Sequence, residues 1–326
     1  MSLKESPQLD DLLQEIIDLV HKYKKIDVPN VNTVVDIESL IKTDESFLRL
    51  AYWVIVEREI DPSGLTGWLS QLKSGLSKPA LIQKLYESPE FQNRMIGKSG
   101  WAEINQKLHQ ARLELVQTVL PHAKIVLDIG GYSSYDPKGA LLGFGYPYLP
   151  DKISIVDLHP NQMMFPGPIW SKQMNSGHCC IEYFYRSMVD LTCFKEGSFD
   201  LIWSGESIEH VTVEDAESII SQAYKLLKPG GKLALDTPNR LATKLISPGA
   251  YTHPEHKIEY DYETLCKLLK KHNFNIIESK GIIDLSQSIK DNKCSNFYNE
   301  FMQRSSLNDN PETSYCFYIC CVKPDD

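Results

Sequence analysis

From residue 124 onward, short apolar runs alternate with helix-patterned stretches, and that alternation leaves few folds open. The runs cover 124–128, 152–157, 181–185, 199–204, 231–236, 274–283 and 314–322, each bounded by polar or turn-forming residues. Helices are predicted over 138–143, 213–227 and 261–272, and the last two strands flank a polar insertion, Ser286 to Thr313. Such a chain builds a mostly parallel sheet with helices on both faces. Two early runs end in acids. Lys124-Ile125-Val126-Leu127 reaches Asp128 and continues into Ile129-Gly130-Gly131, while Ile153-Ser154-Ile155-Val156 ends on Asp157. Ligands of open α/β sheets sit beyond these carboxyl ends of strands.

The preceding hundred residues have a different pattern. Leu12, Leu13, Ile16, Ile17 and Val20 make residues 9–25 an amphipathic helix, and 26–44 read as a connection. Residues 45–98 look like a compact helical module, with Asp61 or Ser77 as caps and Pro62 at a first helical position. A further helix over 101–120 leads into the sheet. The expected division is therefore 1–98, all-α, and 99–326, α/β, a layout that the 326 residues accommodate at about 100–200 residues per domain.

Composition removes some function classes. The net charge of -9 speaks against a generic nucleic-acid-binding surface. No apolar run approaches the roughly 20 residues of a membrane span, and the first residues lack a signal-peptide pattern, so a cytoplasmic location is expected. The eight cysteines show no Cys-x-x-Cys spacing and read as reduced thiols.

Two more segments complete the signal: Ser198-Phe199-Asp200-Leu201-Ile202-Trp203-Ser204-Gly205-Glu206-Ser207-Ile208-Glu209-His210-Val211, and Leu226-Leu227-Lys228-Pro229-Gly230-Gly231-Lys232-Leu233-Ala234-Leu235-Asp236-Thr237-Pro238-Asn239. In order and spacing, residues 124–240 resemble the class I S-adenosylmethionine (SAM)-dependent methyltransferases of the type 11/23 kind. The resemblance implies a Rossmann-like sheet whose last strand is antiparallel. Phe47-Leu48-Arg49, Arg58-Glu59, Asp61-Pro62, Trp68 and Ser88-Pro89-Glu90-Phe91 resemble a small domain of undefined function, DUF4214, met on envelope- and glycan-related proteins.

SAM carries a charged amino acid, a ribose diol and an adenine, and no phosphate. Asp128, Gly130, Gly131 and Tyr132 would form the open loop that lets backbone approach it. Asp157, followed by Leu158, would accept the ribose hydroxyls. Ser187, Met188 and Asp190 are candidates for the adenine side, with Asp190 equally a turn or capping residue. Ser204 and Glu206 would lie beside the cofactor. The resemblance further implies that Glu206, Glu209, His210 and a later His256 bind a divalent cation such as Mg, Mn or Zn. Direct base catalysis by His210, Glu209 or His256, and a structural role for all of them, stand beside that reading.

Asn239 and Arg240 are expected at the acceptor or in a turn, and 241–260, with Tyr251 and His253, in a lid. Tyr146, Tyr148 and Trp170 are expected to supply aromatics to the pocket or to close the core. The pyrophosphate cradle Gly-x-Gly-x-x-Gly is missing, since Gly130-Gly131 runs into Tyr132-Ser133-Ser134-Tyr135, which sets a dinucleotide oxidoreductase aside. The most economical reading is O-methylation of a sugar, glycan or other small hydroxylated acceptor. Tyr132 and Ser134, where the family carries glycines, leave open a non-catalytic SAM-binding scaffold. A small-molecule N-methyltransferase is the other alternative.

Overall fold

The structure, a computed structural model, describes residues 43–325 apart from 57, 165 and 293–295. The helix expected over 9–25 lies outside the described residues, as does the connection up to residue 42. The chain divides into two compact units, one ending at Gly97 and one beginning at Lys98.

In the first unit, α1 (Asp44–Ala51) runs into a π-helical turn (Tyr52–Val56), followed by α2 (Pro62–Lys73) and α3 (Lys78–Tyr86). Each helix starts where its sequence supplies a cap. The side chains of Thr43, Asp61 and Ser77 accept backbone N–H groups of Ser46, Gly64 and Ala80. Phe47, Leu48, Ala51, Ile55, Leu81 and Leu85 close the core. The long helix α4 (Pro89–Thr118) is broken at Gly97, whose φ of 64° and ψ of 176° are not helical.

The second unit is a nine-stranded sheet: β1 (Ile125–Ile129), β2 (Lys152–Asp157), β3 (Gln173–Ser176), β4 (Cys179–Tyr185), β5 (Phe199–Gly205), β6 (Leu227–Pro238), β7 (Asn275–Asp284), β8 (Leu307–Asn308) and β9 (Ser314–Val322). They are ordered β3-β4-β2-β1-β5-β6-β9-β7-β8. The pairs β4–β2, β2–β1, β1–β5 and β5–β6 are parallel, whereas β9 is antiparallel to both β6 and β7. The last strand is thus antiparallel, as the resemblance implies. It is also inserted inside the sheet, which explains its unbroken buried run from Ser314 to Cys321. Two short antiparallel edge strands, β3 on β4 and β8 on β7, were not foreseen.

Helices α5 (Ala140–Gly143), α6 (Val213–Leu226), α7 (Arg240–Ile246), α8 (Tyr262–Lys271), α9 (Ser286–Asp291) and α10 (Phe297–Gln303) complete the unit. Helix α6 shows why they pack. Thr212 caps it, and Ala216, Ile219, Ile220, Ala223 and Leu226 form one buried face. These join Leu127, Ile129, Ile202 and Leu233 from the sheet in the main core. Among the described residues no helix is long and apolar enough to cross a membrane.

Candidate functional site

Register brings the ends of four parallel strands to one edge: Ile129 pairs with both Val156 and Ser204, and Gly205 with Asp236. The loop after β1 is built for close approach. Gly130 has φ of 74°, and a Cβ there would lie 2.6 Å from Cβ of Ser207; one on Gly131 would overlap the Asp128 carboxylate. The Gly130 amide bonds the Val156 carbonyl at 2.8 Å. Ser207 Oγ, itself donating to the Ile129 carbonyl at 3.1 Å, is 2.6 Å from Ser204 Oγ. The loop is thereby anchored on β2 and on the segment after β5.

Asp157 faces this loop. One carboxylate oxygen accepts the Tyr132 amide at 3.0 Å and the other the Leu158 amide at 2.7 Å. Burial raises its pKa against the pull of those two amides. Each oxygen keeps a further lone pair for a hydroxyl donor. Asp128 is 1% exposed, and its Oδ2 has no hydrogen-bond partner. Burial, and then the charge of Asp157, pushes its pKa up to about 7. An orphaned carboxylate oxygen beside a side-chain-free loop fits a ligand with a cationic group and a diol, as SAM is.

After β5 the backbone turns sharply, and Glu206 takes φ of 44°. That conformation is costly for a glutamate and is held by its surroundings. Arg112, from α4, ion-pairs with Glu206 at 3.2 Å and with the fully buried Asp236 at 2.6 Å. Cys316 Sγ donates to the other Glu206 oxygen at 3.6 Å. Arg112 was not singled out in the sequence. The available signal was Asp236, a carboxylate ending the buried run Leu233-Ala234-Leu235, which needs a cation.

The expected metal set is brought together only in part. Glu206 is held by Arg112. Glu209 is 1% exposed, and its carboxylate accepts from Thr237 Oγ1 at 2.9 Å. Burial, and next the charge of Glu206, raises the Glu209 pKa well above the ordinary range. His210 and His256 do meet, with ring centroids 5.0 Å apart, and His253 joins them at 5.9 and 5.4 Å. Burial, and next the neighbouring His256, lower the His210 pKa and favour the neutral imidazole.

The expected lid is only partly a loop. Residues 240–246 form α7, started by the Asn239 side chain accepting the Leu241 amide at 3.0 Å. Asn239 is fully buried and also donates to the carbonyls of Glu312 and Ser314, so it is a structural corner. Arg240 gathers the following loop by donating to the carbonyls of Ser247 and Ala250 and to Glu259. Glu259, which the sequence did not flag, accepts from His256 Nδ1 at 2.8 Å, from Thr252 and from Thr243. Burial alone would raise its pKa; these bonds win and hold it at about 2.

The remaining candidates separate. Asp190 caps a turn through Thr192 and pairs with Arg186 at 2.9 Å, while Met188 packs against the core. Trp170 lies at the site, its Nε1 donating to the Ser133 carbonyl at 2.7 Å. Tyr146 and Tyr148 do not supply the pocket. Tyr146 donates to the Pro121 carbonyl, before β1 at the opposite end of the sheet, and Tyr148 packs on its ring.

Comparison with known proteins gives the family. The family profile described as "Methyltransferase domain" matches residues 101–279, and one described as a domain of unknown function, DUF4214, matches 38–95. A ubiquinone biosynthesis O-methyltransferase of Xanthomonas euvesicatoria pv. vesicatoria is 30% identical over 224 residues, covering 67% of this chain and 84% of that protein. Its counterpart in Xanthomonas axonopodis pv. citri is 29% identical with the same coverage. A SAM-dependent methyltransferase structure from Archaeoglobus fulgidus superposes with a TM-score of 0.45 at 15% identity, covering 67% of this chain and 94% of that one. The chain belongs to the methyltransferase-domain family and is a SAM-dependent methyltransferase.

Proposed function

We propose that the enzyme transfers the methyl group to a hydroxyl of a small acceptor. The observation carrying this is the cluster of His210, His253 and His256, which gathers just after the β5 end, where an acceptor proton has somewhere to go. Bound SAM supplies a methyl group already activated on a sulfonium. The chain's task is to orient the two reactants and to receive a proton. In this reading Asp157 accepts the ribose hydroxyls, and Gly130, Gly131 and Tyr132 pass backbone along the methionine end. Asp128 faces the cationic amino group, while Leu158 and Met188 flank the adenine. Ser204 and Glu206 line the methyl side.

Two carboxylates, Asp236 and Glu206, share the Arg112 guanidinium, which fixes the turn after β5 that Ser204 and Glu206 begin. Without a cation the proton leaves the acceptor oxygen toward His210 or His256; a divalent cation held there would lower the hydroxyl pKa and the proton would pass to solvent.

The helical module points to a sugar or glycan acceptor, and we take the division near residue 98 as that between module and methyltransferase domain. The named relatives favour a second reading, a phenolic acceptor. A mass-spectrometric methyl-transfer assay over sugars, nucleotide-linked sugars, catechol-type phenols and amines separates these. His210→Ala is expected to lower kcat by about 100-fold or more at unchanged affinity for S-adenosylhomocysteine. Methylation of amines alone would overturn the proposal.

A further inference from the structure

We propose that His210, His253 and His256 together hold one divalent cation of the zinc class, and that neither Glu206 nor Glu209 is a ligand to it. This rests on the reading that the acceptor hydroxyl loses its proton at this cluster. It differs from the resemblance, which implies two glutamates and two histidines.

One ring nitrogen from each of the three histidines lies within 4.8 Å of the other two. Nitrogens around tetrahedral zinc stand roughly 3.3 Å apart, given zinc–nitrogen bonds of about 2.0–2.1 Å, so a small side-chain contraction closes the site. The rings converge from different directions. The His210 plane meets that of His256 at 87° and that of His253 at 71°. All three are partly exposed, which leaves a fourth position open to an acceptor oxygen.

The supports belong to the backbone and to a surrounding carboxylate. The Glu209 carbonyl accepts the amides of Lys257 at 2.8 Å and Ile258 at 3.2 Å, pinning the 253–258 loop against the His210 turn. Glu259 holds His256 Nδ1 at 2.8 Å, which places the proton there and frees the Nε2 lone pair. A carboxylate on the far nitrogen of an imidazole is the usual outer partner of a metal-bound histidine. Glu259 is itself fixed by Thr243, Thr252 and Arg240.

The glutamates are committed elsewhere: Glu206 to Arg112 and Cys316, Glu209 to Thr237. Three imidazoles suit zinc, cobalt or nickel, whereas magnesium prefers oxygen ligands. One contact must open. The Glu255 amide points at His253 Nδ1 at 3.3 Å, and a His253 ligating through Nε2 carries its proton on Nδ1.

The test is cobalt(II) titration of the chelator-stripped full chain, followed by visible absorption and calorimetry, with S-adenosylhomocysteine binding as the folding control. One cobalt per chain with the intense bands of a four- or five-coordinate ion is expected. His210→Ala, His253→Ala and His256→Ala should each lose this binding, while Glu206→Gln and Glu209→Gln retain it. Glu259→Gln should weaken it by about 10–100-fold. No uptake by the native chain, wild-type uptake by His253→Ala, or loss in either glutamate variant would overturn the site. Hydroxyl methylation by a stripped chain that takes up no cobalt removes the cation and leaves the proposed reaction standing. Cobalt uptake by a chain that methylates only amines does the reverse.

Discussion

The Tyr132 amide donates to Asp157 Oδ2 at 3.0 Å, so one carboxylate ties the loop after β1 to the tip of β2. Replacing Asp157 with Ala removes that tie together with the acceptor for a ribose diol. Two charge-assisted hydrogen bonds at about 1.5–3 kcal/mol each predict at least roughly 100-fold weaker binding of S-adenosylhomocysteine. Isothermal titration measures it. Wild-type affinity in Asp157→Ala would end the assignment of this loop to the cofactor.

Gly130 combines φ of 74° with a Ser207 Cβ only 2.6 Å from where its own would be. Gly130→Ala incurs both the left-handed backbone penalty and the overlap. The Tm should fall by about 5–10 °C, from a combined cost of about 2–4 kcal/mol. Calorimetry with an unchanged Tm would mean that the loop relaxes freely.

Asp128 gives a pH signature. Its pKa is about 7 in the fold against 3.8 ordinarily, so the fold favours the neutral acid. The associated stability is fully present below 3.8 and is lost as pH rises through about 7. Asp128→Asn should therefore resemble the native chain near pH 4 and gain on it toward pH 8, by at most about 4 kcal/mol. Denaturant unfolding at the two pH values decides. A difference independent of pH would show that Asp128 titrates normally.

Arg112 sits between Glu206 and the fully buried Asp236. Removing it in Arg112→Ala leaves uncompensated buried charge, at about 3–5 kcal/mol. Asp236→Asn in the same chain should recover part of that loss. Equal stability of Arg112→Ala and the native chain would place the guanidinium in solvent.

The strands of the sheet were legible because parallel strands covered on both faces must be apolar throughout, and Ile125–Ile129 or Phe199–Gly205 could be little else. The edges were not. Gln173–Ser176 is four residues long, polar but for Met174 and nowhere fully buried, a pattern shared with loops, and β8 is two residues long. At the site, Asp128, the two glycines and Asp157 were readable because strand ends and turns are local signals. Arg112 and Glu259 were hidden because their partners lie across the fold or in a loop without periodicity: Arg112 reaches Asp236, 124 positions along the chain. His253 was visible as a residue and not as a neighbour of His210, since the bonds from Lys257 and Ile258 to the Glu209 carbonyl that pin that loop are main-chain contacts across the fold.

The insertion of β9 between β6 and β7 has a consequence for biogenesis. As the chain leaves the ribosome, residues 227–238 and 275–284 emerge with nothing to join them until 314–322 follow. For that interval two unpaired strand edges stand open to pairing with other nascent chains, a hazard that chaperones exist to shield.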